Sequence, residues 1–208
     1  MFSAVGQSAV KGAIISRNIG VTLNAANSDD YSLDVDQNGT NDFTFQTAYV
    51  PDPVLTVGFD QIAFPFGSSN GVVIDTQTGD GFPATSVLVP GSSVSPSSLF
   101  TGLNDLADLY YYDTIDPPSG NYGEKTGFVG FRFSAADGTH YGYAQVSVKG
   151  LNDLAAPFNL TIGTVAYDNV AGKPVTVTAV PEPNSLAMIA SVILGLAASL
   201  RLQVNDRA

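Results

Sequence analysis

The densest chemistry in the chain lies in YSLDVDQNGTNDFTFQ, Tyr31 to Gln46. Asp34, Asp36 and Asn38 stand at alternate positions, Gly39 follows, and Asp42 lies three further on, giving D-x-D-x-N-G-x-x-D. Calcium is a hard cation that takes about six to eight oxygen ligands, and a tight loop offers them at positions 1, 3, 5, 7 and 9. On that spacing Asp34, Asp36 and Asn38 supply side-chain oxygens, Thr40 a backbone carbonyl, and Asp42 a carboxylate, directly or through water. Gly39 in sixth place allows the sharp turn. The twelfth position is Phe45, where a helix-flanked calcium loop carries a bidentate acid, and the flanks Tyr31–Val35 and Phe43–Tyr49 alternate like strands. The expectation is a strand-flanked loop holding one structural Ca2+, with a dissociation constant of roughly 10⁻⁴–10⁻³ M. The competing reading is an Asn38-Gly39 hairpin turn whose acids are simply solvated. Three carboxylates drawn to one turn repel each other, and a bare turn has no need of them, so calcium is preferred.

Other chemistry is sparse. The chain has no Cys, which excludes a disulfide framework, thiol catalysis and Cys-ligated zinc. Its single His, His140, has no nucleophile or paired carboxylate beside it in sequence, and reads as a surface or hairpin-edge residue. Tyr110, Tyr111, Tyr112, Tyr122, Tyr141 and Tyr143 could form an aromatic platform for sugar rings, with Tyr141 and Tyr143 the candidates for glycan contact. Aromatics in strands are more often core or cross-strand pairs. Asp108, Asp113, Asp116 and Glu124 are available to a glycosidase, but no spacing singles out the two carboxylates that chemistry needs. No enzyme is expected.

The elements that must hold the acidic loop are strands. Charged residues make up only 13%, with 21 Gly and 12 Pro among 208 residues, a turn-rich balance suited to an extracellular all-β protein. A net charge of −11 argues against nucleic acid, whose phosphates need a basic face, and suits cation binding. Short runs rich in Val, Ile, Phe, Tyr and Thr predict strands over Ala13–Arg17, Gly20–Leu23, Tyr31–Val35, Phe43–Tyr49, Gln61–Phe66, Gly71–Asp75 and Thr85–Val89. The same pattern continues at Leu109–Tyr112, Gly127–Phe133, Tyr141–Val148, Asn159–Tyr167 and Val175–Val180. That spacing reads as one β-sandwich or jelly-roll domain over residues 13–180. Its clearest piece is a hairpin from Gly127 to Val148 that turns at Asp137-Gly138, with Val129, Phe131 and Phe133 toward a core and the opposite face in solvent. Ser95 to Asp108 predicts either a short helix, on Leu99, Leu103 and Leu106, or a loop with one turn. Asp113–Lys125 predicts an exposed loop.

The ends carry targeting information. Residues 1–12 lack a basic stretch ahead of an apolar run, and the expectation is a secretion signal that is absent or truncated. At the other end, Pro183 and Asn184 start an uncharged, mostly apolar run, SLAMIASVILGLAASL over Ser185–Leu200, followed by Arg201 and Arg207. As a helix it reaches roughly 24–26 Å, near the lower limit for a bilayer core of about 30 Å. Arginine behind it favours a cytoplasmic end. A buried C-terminal core helix is the alternative, but the run has no polar face.

Pro181-Glu182-Pro183, then an apolar span, then Arg201 near the C-terminus resembles the PEP-CTERM sorting tail of Gram-negative, exopolysaccharide-producing bacteria. The resemblance implies transient anchoring in the membrane by the helix at 185–200. It further implies recognition by an exosortase-type membrane protease and delivery of the body to the cell surface or exopolysaccharide matrix. The family's arginine cluster is thinner here, since Arg201 is followed by Leu202 and Gln203. The resulting expectation is a secreted or cell-surface structural or adhesive protein with a tail at 181–208. A carbohydrate-binding module of the matrix and a secreted hydrolase are the alternatives.

Overall fold

Most of the predicted segments become strands, but of Thr85–Val89 only Thr85 does and of Val175–Val180 only Val175 and Thr176 do, while residues 64–66 of the segment Gln61–Phe66 lie outside the described residues. The computed structural model describes residues 12–50, 57–63, 69–77, 83–101, 106–113, 121–150 and 157–179. The chain divides into two units, Met1–Val177 and Thr178–Ala208, and of the second only Thr178 and Ala179 are described. The N-terminal segment, apart from Gly12, and the expected helix at 185–200 lie outside the described residues. Among the described residues no helix is long and apolar enough to cross a membrane.

The protein is all-β, with several sheets. The strands are β1 (Ile14–Asn24), β2 (Asp30–Leu33), β3 (Phe43–Val50), β4 (Val57–Ala63), β5 (Gly71–Val72), β6 (Ile74–Gln77) and β7 (Pro83–Thr85). They continue as β8 (Ser93–Val94), β9 (Ala107–Asp113), β10 (Thr126–Ala135), β11 (Gly138–Lys149), β12 (Asn159–Asp168) and β13 (Val175–Thr176). One sheet has the order β1-β12-β11-β10-β5, a second has the order β2-β3-β4-β9-β7-β6, and β13 and β8 form a two-stranded ribbon. The two predicted segments at 13–17 and 20–23 are a single strand, β1, whose register shifts between Asn18 and Val21, where Gly20 takes a φ of +66°. Glycine enters that conformation more readily than any residue with a Cβ.

Side chains from both large sheets meet in one core. Phe43 of β3 lies 5.2 Å from Phe131 of β10, ring centre to ring centre, and Tyr110 of β9 stands edge-on to Phe158 at 5.9 Å. Leu33, Phe45, Ile62, Leu109, Val129, Phe133, Val146 and Ile162 fill the space around them. Such burial stabilises by about 1.5–3 kcal/mol for each large apolar side chain.

Three sequence expectations need correction. The hairpin forms as β10 and β11, but it turns at Ala136-Asp137 and Gly138 already pairs with Ala135. Its second face is not in solvent: Phe128, Tyr141 and Tyr143 are buried, because the chain around β8 lies over it, with Leu88 bridged to Phe128, Val94 over Gly130 and Phe100 packed on Tyr141. At Gly130 the cover is so close that a Cβ would lie 2.7 Å from Val94 and 2.8 Å from Leu88. Of Ser95–Asp108, residues 102–105 lie outside the described residues; ahead of them a turn is closed by the Ser98 amide on the Ser95 carbonyl and Leu99 is exposed, and after them Ala107 and Asp108 open β9. The expected loop before Lys125 contains the fully buried Tyr122, whose hydroxyl donates to the Ser86 carbonyl at 3.3 Å.

Candidate metal centre

The acidic loop is the connection between β2 and β3, closed where Leu33 pairs with Phe43 and the Asp42 amide donates to the Leu33 carbonyl. Val35 leaves the strand but remains buried, drawing the start of the loop inward. Asp34 organises the turn. Its two carboxylate oxygens accept from the amides of Asn38 at 3.1 Å and Gly39 at 2.7 Å. Asp36 accepts from the Asn38 amide at 3.2 Å and from the Asn38 side-chain nitrogen at 3.0 Å, while the Asn38 side-chain oxygen accepts from the Thr40 amide at 2.8 Å. Gln37 and Gly39 both sit at positive φ, 61° and 90°, so the chain curls around its own carboxylates.

Asp34, Asp36 and Asp42 each place a carboxylate oxygen within 4.8 Å of the others. Two oxygens on opposite sides of one calcium, each at about 2.3–2.6 Å, stand about 4.6–5.2 Å apart, so this grouping has the right span for a single ion. Asn38 and Thr40, both exposed, complete the set of residues singled out by the sequence. Asn38 bends its oxygen toward the Thr40 amide in this arrangement.

Asp42 carries the electrostatic signature. It is 4% exposed, and its carboxyl is pushed up to about 6. Burial is the main cause, opposed by the Val35 amide and the Asn70 side chain, and reinforced by the negative charges of Asp36 and Asp34. The Val35 amide donates to it at 2.8 Å. A divalent cation would oppose that shift, because its positive charge favours the ionised carboxylate.

Three supporting residues escape sequence reasoning. Asn70, just ahead of β5, donates to the Asp42 carbonyl at 3.0 Å and accepts from the Ser134 amide of β10 at 3.0 Å, tying the loop to the other sheet. Arg17 of β1 donates to the Asp34 carbonyl at 2.6 Å. Both are distant in sequence from the loop, and only strand order brings them near it. A cleft of about 390 Å³ lined by Arg17, Val35, Asp36, Gln37 and Tyr167 gives solvent access to Asp36.

The third is His140, which is buried rather than at the surface, 3% exposed, and shares a small cavity with Asp36, Asp137 and Tyr167. Its Nδ1 lies 2.8 Å from the Asp168 carbonyl and its Nε2 lies 2.8 Å from an Asp137 carboxylate oxygen. Both partners are acceptors, so the ring satisfies both only as the doubly protonated imidazolium. Burial works against that charge, but the Asp168 carbonyl, the Asp137 carboxylate and the field of Asp36 outweigh it and hold the His140 pKa above its ordinary 6.5.

The remaining candidates separate. Tyr141 is 7% and Tyr143 2% exposed, packed on Phe100 and Phe128 respectively, which leaves no free ring face for a sugar. These two rings do not form the surface platform expected for glycan contact. Asp108 is fully buried and accepts from the Gln61 side chain at 2.7 Å, while Glu124 sits in a left-handed turn whose carbonyl binds Lys149. Asp116 and the sorting residues Pro181, Glu182, Pro183 and Arg201 lie outside the described residues. Compared with protein-family models, curated proteins and solved structures, the chain matches none.

Proposed function

We propose that this chain is a structural or adhesive protein of the cell surface or exopolysaccharide matrix of a Gram-negative bacterium. In this reading its body is a β-sandwich stiffened by one Ca2+ held by Asp34, Asp36, Asn38, Thr40 and Asp42. The observation that carries the calcium part is the convergence of Asp34, Asp36 and Asp42 within 4.8 Å, with Asp42 buried. The two large sheets sharing a phenylalanine-rich core support the sandwich. Sorting rests on the tail: Pro181-Glu182-Pro183, the apolar run Ser185–Leu200 as a membrane helix, and Arg201, in the order of a PEP-CTERM signal. An exosortase-type membrane protease is the partner this implies, and the helix anchors the chain until processing. The protein works without turnover, as a stable outer-surface module.

The test is an intact mass of the protein recovered from its native cells, with membrane and medium fractions separated. Body ending near Pro181–Pro183 in the medium or matrix is the expected result. Full-length protein in the membrane fraction alone would make the tail a permanent anchor and overturn the sorting reading.

A further inference from the structure

The sequence contains two Asn-Gly dipeptides, Asn38-Gly39 and Asn70-Gly71, and the fold treats them in opposite ways. In an Asn-Gly pair the glycine nitrogen can attack the asparagine side-chain carbon, because no Cβ on the glycine blocks the approach. We propose that Asn38 is a self-modification site, converted by its own loop through a succinimide to aspartate and isoaspartate.

The parts are in place around Asn38. Asn38 and Gly39 are exposed, and nothing lies within 4 Å of where a Gly39 Cβ would point. The Gly39 N–H donates to an Asp34 carboxylate oxygen at 2.7 Å, which positions Asp34 as the base that takes its proton. The Thr40 N–H lies 2.8 Å from the Asn38 side-chain oxygen, where negative charge develops during attack. The Gly39 nitrogen forms a bond to the Asn38 Cγ, and its proton passes to Asp34. Collapse then breaks the Cγ–Nδ2 bond, the departing nitrogen takes the proton from Asp34, and ammonia leaves. Solvent water adds across one of the two ring C–N bonds. Opening at Cγ yields aspartate, and opening at the backbone carbonyl yields isoaspartate. No oxidant or reductant is involved.

Asn70-Gly71 is the built-in control. Both asparagine side chains are held at each end, but Asn70 is 5% exposed and Gly71 is paired with Arg132 in the sheet, whereas Asn38-Gly39 is exposed in a loop with Asp34 on the glycine N–H. The Thr101 hydroxyl stands 3.1 Å from the position of a Gly71 Cβ.

Either product changes the loop. Aspartate at position 38 places a fourth carboxylate beside Asp34, Asp36 and Asp42, and isoaspartate lengthens the backbone by one methylene. Where the loop holds calcium as proposed above, which this consequence alone requires, aspartate adds a charged ligand and isoaspartate spoils the spacing.

The test follows freshly made full-length protein at neutral pH in a calcium chelator, natively and in guanidinium. Peptide-resolved mass reads the gain of about 1 Da at each Asn-Gly pair. A positioned base contributes about 10²–10⁴-fold, so native conversion at Asn38 is expected at least about tenfold faster than in guanidinium. Asn70 is expected to convert more slowly in the native protein than in guanidinium. Asp34→Asn should bring the native Asn38 rate down to the denatured one, with continued protection of Asn70 showing that the variant is folded. Native conversion at Asn38 equal to or slower than the denatured rate would overturn the proposal. So would an unchanged rate in folded Asp34→Asn. Because calcium is absent throughout, neither result bears on whether the loop binds it.

Discussion

Asp42 is where the loop opposes folding when no cation is present. Its carboxyl rises from 3.8 to about 6 on folding, mainly by burial. A raised value means the folded state prefers the proton, so this contribution is full below pH 3.8 and is lost as pH climbs through about 6. The change amounts to at most about 3 kcal/mol. His140 acts in the same direction at higher pH: its value in the fold lies above 6.5, so its contribution is present below 6.5 and disappears as pH passes the folded value. In chelator, denaturant midpoints are therefore expected to fall between about pH 4 and about pH 6 as Asp42 ionises, and again above about pH 6.5 as His140 loses its proton. Asp42→Asn should flatten the acid half of that slope and His140→Gln the alkaline half. A wild-type stability that rises with pH across this window would contradict both assignments.

Strand positions were largely legible because apolar alternation is a local property, and β3, β10, β11 and β12 all fall on predicted segments. What covers a strand is not local. Val129, Phe131 and Phe133 announce one buried face of β10, but nothing near Phe128 in sequence says that β8 lies over the other. The leucines near 99–106 carry helical spacing, yet Leu99 lies beyond a turn and β9 begins directly after Leu106. In the loop, the three carboxylates were legible from their spacing, whereas Asn70 and Arg17 were invisible until strand order joined them to it. The close cover gives a prediction at this scale. Gly130→Ala drives a methyl into Val94, Leu88 and Val73, and should cost about 1–3 kcal/mol by denaturant titration. An unchanged midpoint would mean that the β8–β13 ribbon moves aside freely.

For the molecule as a whole, the structural role proposed above would need a body that keeps its shape, and the chain has no Cys to cross-link it. A cation joining the β2–β3 loop, which Asn70 in turn connects to β10, would supply part of that rigidity. The most direct measurement is the melting temperature of the full chain in chelator and in millimolar calcium, beside Asp36→Asn. At a calcium concentration about ten times the dissociation constant, binding adds about 1.4 kcal/mol, which raises the melting temperature of a domain this size by about 3–6 °C. The account predicts that rise for the wild type and its loss in Asp36→Asn. A wild-type melting temperature that calcium leaves unmoved, or moves equally in the variant, would contradict it.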